Sequence, residues 1–221
     1  MRSLHVQGGF TLVGLFILSL CWVGNGQGSE GTAYGGGGGP FLAFQSFQSS
    51  GMDQLARVIG VPGLPSFMRG AGGAGYAFFH SSRIGGLGAG SSLRSSAIIG
   101  GKERSLQISF GYGGFLAEYI NRRGRLTTSA GCVLGGGSYS VEVEDETGTH
   151  KASKGFFCLE PCVGLHIRLA EFVAIQGWAG YLLPVSEDLT FRYGSALYRL
   201  TSAEMVGLSF KIGVIFGGQA P

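Results

Sequence analysis

The sequence has 221 residues, enough for one domain with a proper interior. Only 13 % are charged, against ~25 % in a typical soluble chain, and no basic run exceeds Arg122, Arg123 and Arg125 at a net charge of +3. That excludes a nucleic-acid-binding surface, and 43 glycines without a three-residue period exclude a collagen-like chain.

In chain order, residues 1–26 read as a secretory signal. Arg2 precedes an apolar stretch over 10–23, and Gly24 and Gly26 are small residues ahead of a cut before Gln27. The stretch is shorter than the ~20 residues of a membrane-spanning helix. Residues 27–39, ending in five glycines, read as a glycine-rich flexible segment.

Eight segments then read as strands: 40–48, 72–80, 83–91, 104–120, 125–144, 155–169, 171–183 and 204–217. Side chains on a strand switch faces at every residue, so an alternating row defines a two-faced wall. The clearest row is Phe157, Leu159, Pro161, Val163, Leu165, Ile167 and Leu169, backed by Cys158, Glu160, Cys162, Gly164, His166 and Arg168. At ~3.3 Å per residue it is about 40 Å long, far beyond the common strand. Val206, Leu208, Phe210, Ile212, Val214 and Phe216 form a second row, and Leu106, Ile108, Phe110 and Tyr112 a third. A weaker row over 126–134 resumes after Gly135, Gly136 and Gly137 on the opposite parity as Tyr139, Val141 and Val143, as a β-bulge would produce.

The connections alternate. Long or polar ones fall at 49–71, 92–103, 145–154 and 184–203; short ones fall at 81–82, 121–124 and 170. The first long connection contains a short helix over 53–59, stopped by Gly60 and Pro62, placed either over one mouth or at the membrane surface.

Signal segment, eight alternating strands, alternating loop lengths and an aromatic-rich last strand together resemble the small outer-membrane barrels of the OmpA and OmpX type. The resemblance covers 40–217, leaves 218–221 as a C-terminal tail, and is architectural. It implies an all-β, eight-stranded antiparallel up-and-down transmembrane β-barrel in the bacterial outer membrane. It also implies contact with outer-membrane lipid and with the barrel-insertion machinery. The family's aromatic final residue is absent, because Gly217, Gly218, Gln219, Ala220 and Pro221 follow Phe216.

With the apolar rows facing lipid, the polar faces place Gln107, Ser109, Glu142, Glu144, Glu160, His166, Arg168 and Lys211 inside. An eight-stranded barrel is just wide enough for side chains to fill, so these charges must pair. The expected interior polar cluster is Glu142, Glu160, His166, Arg168 and Lys211. Cys158 and Cys162 lie about 13 Å apart along one strand, too far to bridge, and residues of one strand diverge from a single metal ion. No disulfide, metal or cofactor is expected.

The expected role is structural, adhesive or a minor envelope function carried by external loops, with no catalysis. Two alternatives stand beside it. One is a soluble periplasmic lipocalin-like barrel with the oily rows inside around an apolar ligand. The other is a lipid A deacylase-like hydrolase using His80 and Ser82, a pair that the strand count places at a short periplasmic turn, away from the outer leaflet.

Overall fold

The computed structural model describes residues 34–47 and 49–217; the expected signal segment and the tail 218–221 lie outside the described residues. Its elements are β1 (Tyr34–Ser46), α1 (Ser50–Ile59), β2 (Phe67–Phe79), β3 (Ser82–Ile99), β4 (Lys102–Arg123), β5 (Leu126–Asp145), β6 (Gly148–Ala170), β7 (Val173–Val185), β8 (Leu189–Tyr193), β9 (Ala196–Leu200) and β10 (Gly207–Phe216). Eight strands, β1 to β7 and β10, form a closed antiparallel barrel in sequence order; β8 and β9 pair separately. Closure comes from β1 against β10, with Gly38 opposite Phe216 and Leu42 opposite Ile212. A closed ring leaves no unpaired sheet edge, which is the condition for a β-structure to stand in hydrocarbon.

β1 starts at Tyr34, so glycines 35–39, read from sequence as the end of a flexible segment, are a paired strand. Glycine suits them because the neighbouring backbone comes very close: a Cβ on Gly39 would lie 2.0 Å from the carbonyl oxygen of Val214.

The barrel has two tiers. In the lower tier, next to the short turns, the outer wall is apolar. Leu159, Val163, Leu165, Ile167 and Leu169 of β6 are exposed, as are Leu208, Phe210, Ile212 and Phe216 of β10, with Phe157 reaching 79 %. Phe115, Leu134, Ile84 and Ile175 continue the belt onto neighbouring strands. Allowing for strand tilt, residues 157–169 cover roughly 30 Å of height, matching a bilayer's hydrocarbon thickness.

In the upper tier the faces trade roles. Leu106, Ile108, Val141 and Val143 are at most 1 % exposed, with Phe110 and Tyr139 also buried, while Gln107, Glu142 and Glu144 point outward. The third sequence row therefore faces inward. The row at Tyr139, Val141 and Val143 needs no bulge either: β5 pairs without interruption through Gly135, Gly136 and Gly137 to both β4 and β6. The register shift in β6 lies between Arg168 and Ala170 instead. The pairing is continuous, and what changes along the strand is which face carries the apolar residues. Lipid calls for apolar residues on the outer face, and water calls for them on the inner one.

The same change explains two expected loops. Residues 92–103 and 145–154 continue as strand, turning at Gly100 and Gly101, both with positive φ, and at Glu146 and Thr147. Their polar composition is that of a sheet with a solvated outer face.

α1 closes the upper mouth. Met52, Leu55, Ala56 and Ile59 recur at helical spacing and are fully buried on one face. Ser49 caps the start by accepting from the Met52 N–H at 3.2 Å, and Gly60, in the left-handed region, ends it. Glu204 ties this cap down, accepting from the Ser50 N–H at 3.1 Å and the Thr201 N–H at 2.9 Å. The β8–β9 hairpin adds buried Leu189, Phe191, Tyr198 and Leu200. Each such side chain contributes about 1.5–3 kcal/mol by leaving water. The upper tier is thus a packed head with its own apolar core.

Candidate functional site

Two buried polar networks occupy the lower tier, both assembled by strands whose outer faces carry the belt. In the upper one, Glu160 of β6 is fully buried and ion-paired with Lys211 of β10, which is 3 % exposed at its side chain. Ser209 also donates to this carboxylate, and Tyr112 Oη donates to its other oxygen at 2.7 Å. The Lys211 ammonium stands 5.8 Å from the Tyr112 ring centroid. Gly180 of β7 leaves the space: a Cβ there would lie 2.7 Å from Glu160 Oε1.

The second network lies nearer the short turns. Arg83, the second residue of β3, pairs with Glu118 of β4, and both side chains have no exposure. Glu118 accepts from Ser129 Oγ at 2.8 Å and from Trp178 Nε1 at 3.2 Å. The guanidinium lies 4.4 Å from the Tyr76 ring centroid and 5.7 Å from that of Trp178. Both ring nitrogens of His166 approach Arg83 Nη1, Nε2 at 2.5 Å and Nδ1 at 3.3 Å, and since a guanidinium only donates, the ring is the acceptor. Gln176 is fully buried beside them. With its amide oxygen turned inward it accepts from Arg83 Nη2 at 3.0 Å, while its nitrogen donates to Tyr76 Oη at 3.2 Å. Each network is a charge pair enclosed by neutral donors and acceptors, the arrangement that offsets the desolvation of buried ions.

Of the five residues expected inside, Glu160, His166 and Lys211 are there, divided between the two networks. Glu142 and Arg168 are not. Glu142 sits on the outer wall of the head, 3.0 Å from Lys151, because its neighbours Val141 and Val143 take the inner face. Glu144 likewise faces out, 3.6 Å from Arg94. Arg168 lies at the foot of β6, exposed, donating to the Gly124 carbonyl at 3.2 Å. Arg83 and Glu118 escaped the sequence reading. Glu118 shares parity with Leu106 and Tyr112, so placing that row outward put Glu118 outward too. A signal was available in the alternation of Phe115, Ala117 and Tyr119 against Glu118, since a belt segment admits no lone charge on its lipid face.

Lys211→Ala is therefore expected to lower the thermal unfolding temperature in detergent clearly, because it strands the Glu160 carboxylate. Arg168→Ala is expected to leave it nearly unchanged, since its head group is solvated. Equal melting of the two variants would contradict this division.

The short-turn end holds the β2–β3 turn, where His80 has a φ of 54° ahead of Ser82. The opposite end holds α1, the β8–β9 hairpin and the tip of the β5–β6 hairpin. At that tip Asp145 accepts from the Thr147 side chain at 2.6 Å and from Tyr193. These bonds hold its carboxyl down to about 2, so the tip stays anionic in any ordinary medium. Cys132, Cys158 and Cys162 are free thiols, and no group of three metal-ligating side chains occurs among the described residues.

A closed antiparallel ring of eight strands in sequence order is an up-and-down β-barrel, and its lower outer wall is an apolar belt.

No protein-family model matches the chain, and no curated protein matches it. Among solved structures it is similar to Ail, the attachment invasion locus protein of Yersinia pestis, at 12 % identity. That match covers 85 % of this chain and 99 % of Ail, with a TM-score of 0.44. Neisserial surface protein A matches at 10 % identity over 86 % of this chain and 99 % of its own, with a TM-score of 0.42. The outer-membrane protease OmpT from Escherichia coli matches at 7 % identity over 84 % and 96 %, with a TM-score of 0.34. Likeness of this degree concerns architecture and is silent on activity.

Proposed function

We propose that the chain is a bacterial outer-membrane barrel, with its head outside the cell and its short turns in the periplasm. Its role on this reading is structural or adhesive, carried by the head, without catalysis. The observation that carries the reading is the inversion of faces within single strands. A lower tier with an apolar outer wall and paired charges inside suits lipid, and an upper tier with the opposite arrangement suits water. A lipocalin-like barrel would turn residues 157–169 and 208–216 inward around a ligand, whereas here they point out and the interior is occupied by side chains. A hydrolase acting on outer-leaflet lipid would need its nucleophile at the head end, and His80 and Ser82 stand at the other end. The head is closed by α1 and β8–β9 and exposes Val58, Ile98 and Leu197, apolar points suited to surface contacts.

Expression in a double-membraned bacterium tests this. Expected are recovery with outer membranes and heat-modifiable gel mobility. Labelling of Ser96→Cys by an impermeant maleimide in intact cells is expected too, but none of Gly124→Cys. Recovery as a soluble periplasmic protein, or labelling of Gly124→Cys alone, would overturn the reading.

A further inference from the structure

The short-turn mouth of the barrel holds a cleft that opens onto the second network at Arg83, Tyr76 and His166 and carries further charges of its own. Arg122 of β4, Arg125 of the β4–β5 turn and Arg168 of β6 all line it, and Glu171 is the one acidic residue among the described residues of its lining. Arg83 forms its floor, already neutralised by Glu118. Among the described residues, none of the three other arginines has a carboxylate within ion-pair distance. Arg122 lies 5.2 Å over the Phe78 ring, and its Nε and Nη2 are buried with no hydrogen-bond partner among the described residues. The positive charges of Arg168 and Arg83 are close enough to act on it. Arg168 is drawn over the cleft by its bond to the Gly124 carbonyl, and its own N–H donates to the Arg125 carbonyl at 2.9 Å. Like charges so arranged repel one another, and buried guanidinium donors without acceptors are costly, unless an anion joins them.

We propose that this mouth is a binding site for a phosphate group. A guanidinium presents planar, forked donors that match phosphate oxygens, and three of them exceed what a single carboxylate neutralises. Val173 and Ile215 line the same cleft, giving an apolar rim beside the charged floor. The phosphate can be a phospholipid headgroup or a free anion; the site's chemistry is the same for both. The site itself does not depend on where in the cell the barrel resides.

Calorimetric titration of the folded barrel in non-ionic detergent, with inorganic phosphate and separately with short-chain phosphatidic acid, tests the proposal. Saturable binding of either probe is expected, weakened about tenfold or more by Arg122→Gln or Arg168→Gln, the loss that goes with one charged hydrogen-bond pair. Arg94→Gln, on the head, is expected to change nothing. Binding of phosphatidic acid alone assigns the site to a lipid headgroup, and equal binding of inorganic phosphate assigns it to a free anion. No binding of either probe, or equal binding by all three variants, overturns the proposal. Heat-modifiable mobility checks folding. Should Arg122→Gln fail to fold, Arg168→Gln decides, because its side chain is exposed and outside both buried networks.

Discussion

Glu118→Ala is expected to be among the most damaging single changes in the barrel. It leaves the Arg83 guanidinium, with no exposure to solvent, without its counter-charge, and it removes the acceptor used by Ser129 and Trp178. Breaking a buried pair from one side costs about 3–5 kcal/mol, because the surviving charge stays desolvated. Replacing both ends by apolar residues of similar size, as in Arg83→Met with Glu118→Leu, is expected to restore most of that loss. Denaturant midpoints in micelles measure both variants. A double variant as unstable as Glu118→Ala would show that the surrounding hydrogen bonds, not the stranded charge, carry the effect. A single variant as stable as the parent would remove the pair from the account. Tyr76 and Trp178 still flank the guanidinium, so the penalty falls within the range for partly compensated ions rather than above it.

The second large effect concerns the belt. Val163 lies midway along the exposed row of β6, near the level of a bilayer's midplane. Val163→Arg is expected to cost about 2–4 kcal/mol in lipid, because a charge on the lipid face at that depth has no water within reach. Ser96→Arg, on the outer wall of β3 in the head, is expected to stay within ~0.5 kcal/mol of the parent. Reversible unfolding from vesicles gives both numbers. The contrast matters more than either value, since both sites are outward positions on long strands of one barrel. Equal costs would mean that the two outer walls meet the same medium.

Much of the architecture was legible in the sequence. Residues 157–169 alternate with an apolar row on the outer face, so this part of β6 announced its orientation, while its upper end over 148–154 read as loop. The helix near 53–59 was readable from its spacing and its stop at Gly60, and its site over the upper mouth follows from the burial of Met52, Leu55 and Ile59. Glu160 and Lys211 were found because each sits opposite a belt row.

The failures share one physical cause. Alternation reports which residues share a face; it does not report which face is inside. Leu106, Ile108, Phe110 and Tyr112 alternate as cleanly as the belt does, yet they face a core, and at that height β4 turns its polar residues outward. Placing that row in lipid misassigned Gln107 to the interior and hid Glu118, and doing the same with Tyr139, Val141 and Val143 misassigned Glu142 and Glu144. The apparent phase change at the glycine run was the crossing from one medium to the other. Arg168 was misplaced for a different reason: strand parity says nothing about ends, and at the foot of β6 an inward position already opens to solvent. Arg83 was missed because β3 is so rich in glycine that no apolar row framed it.

The central claim is that single strands invert their faces where the barrel leaves the bilayer. Nitroxide labels on a background without Cys132, Cys158 and Cys162, in lipid vesicles, test it most directly through collision with oxygen and with a water-soluble nickel chelate. Labels at 163, 167 and 212 are predicted to favour oxygen, and labels at 107 and 142 to favour the chelate, although all five lie on the outer wall. Labels at 107 and 142 shielded from the chelate, with lipid-like oxygen exposure at 106 and 141, would contradict the inversion.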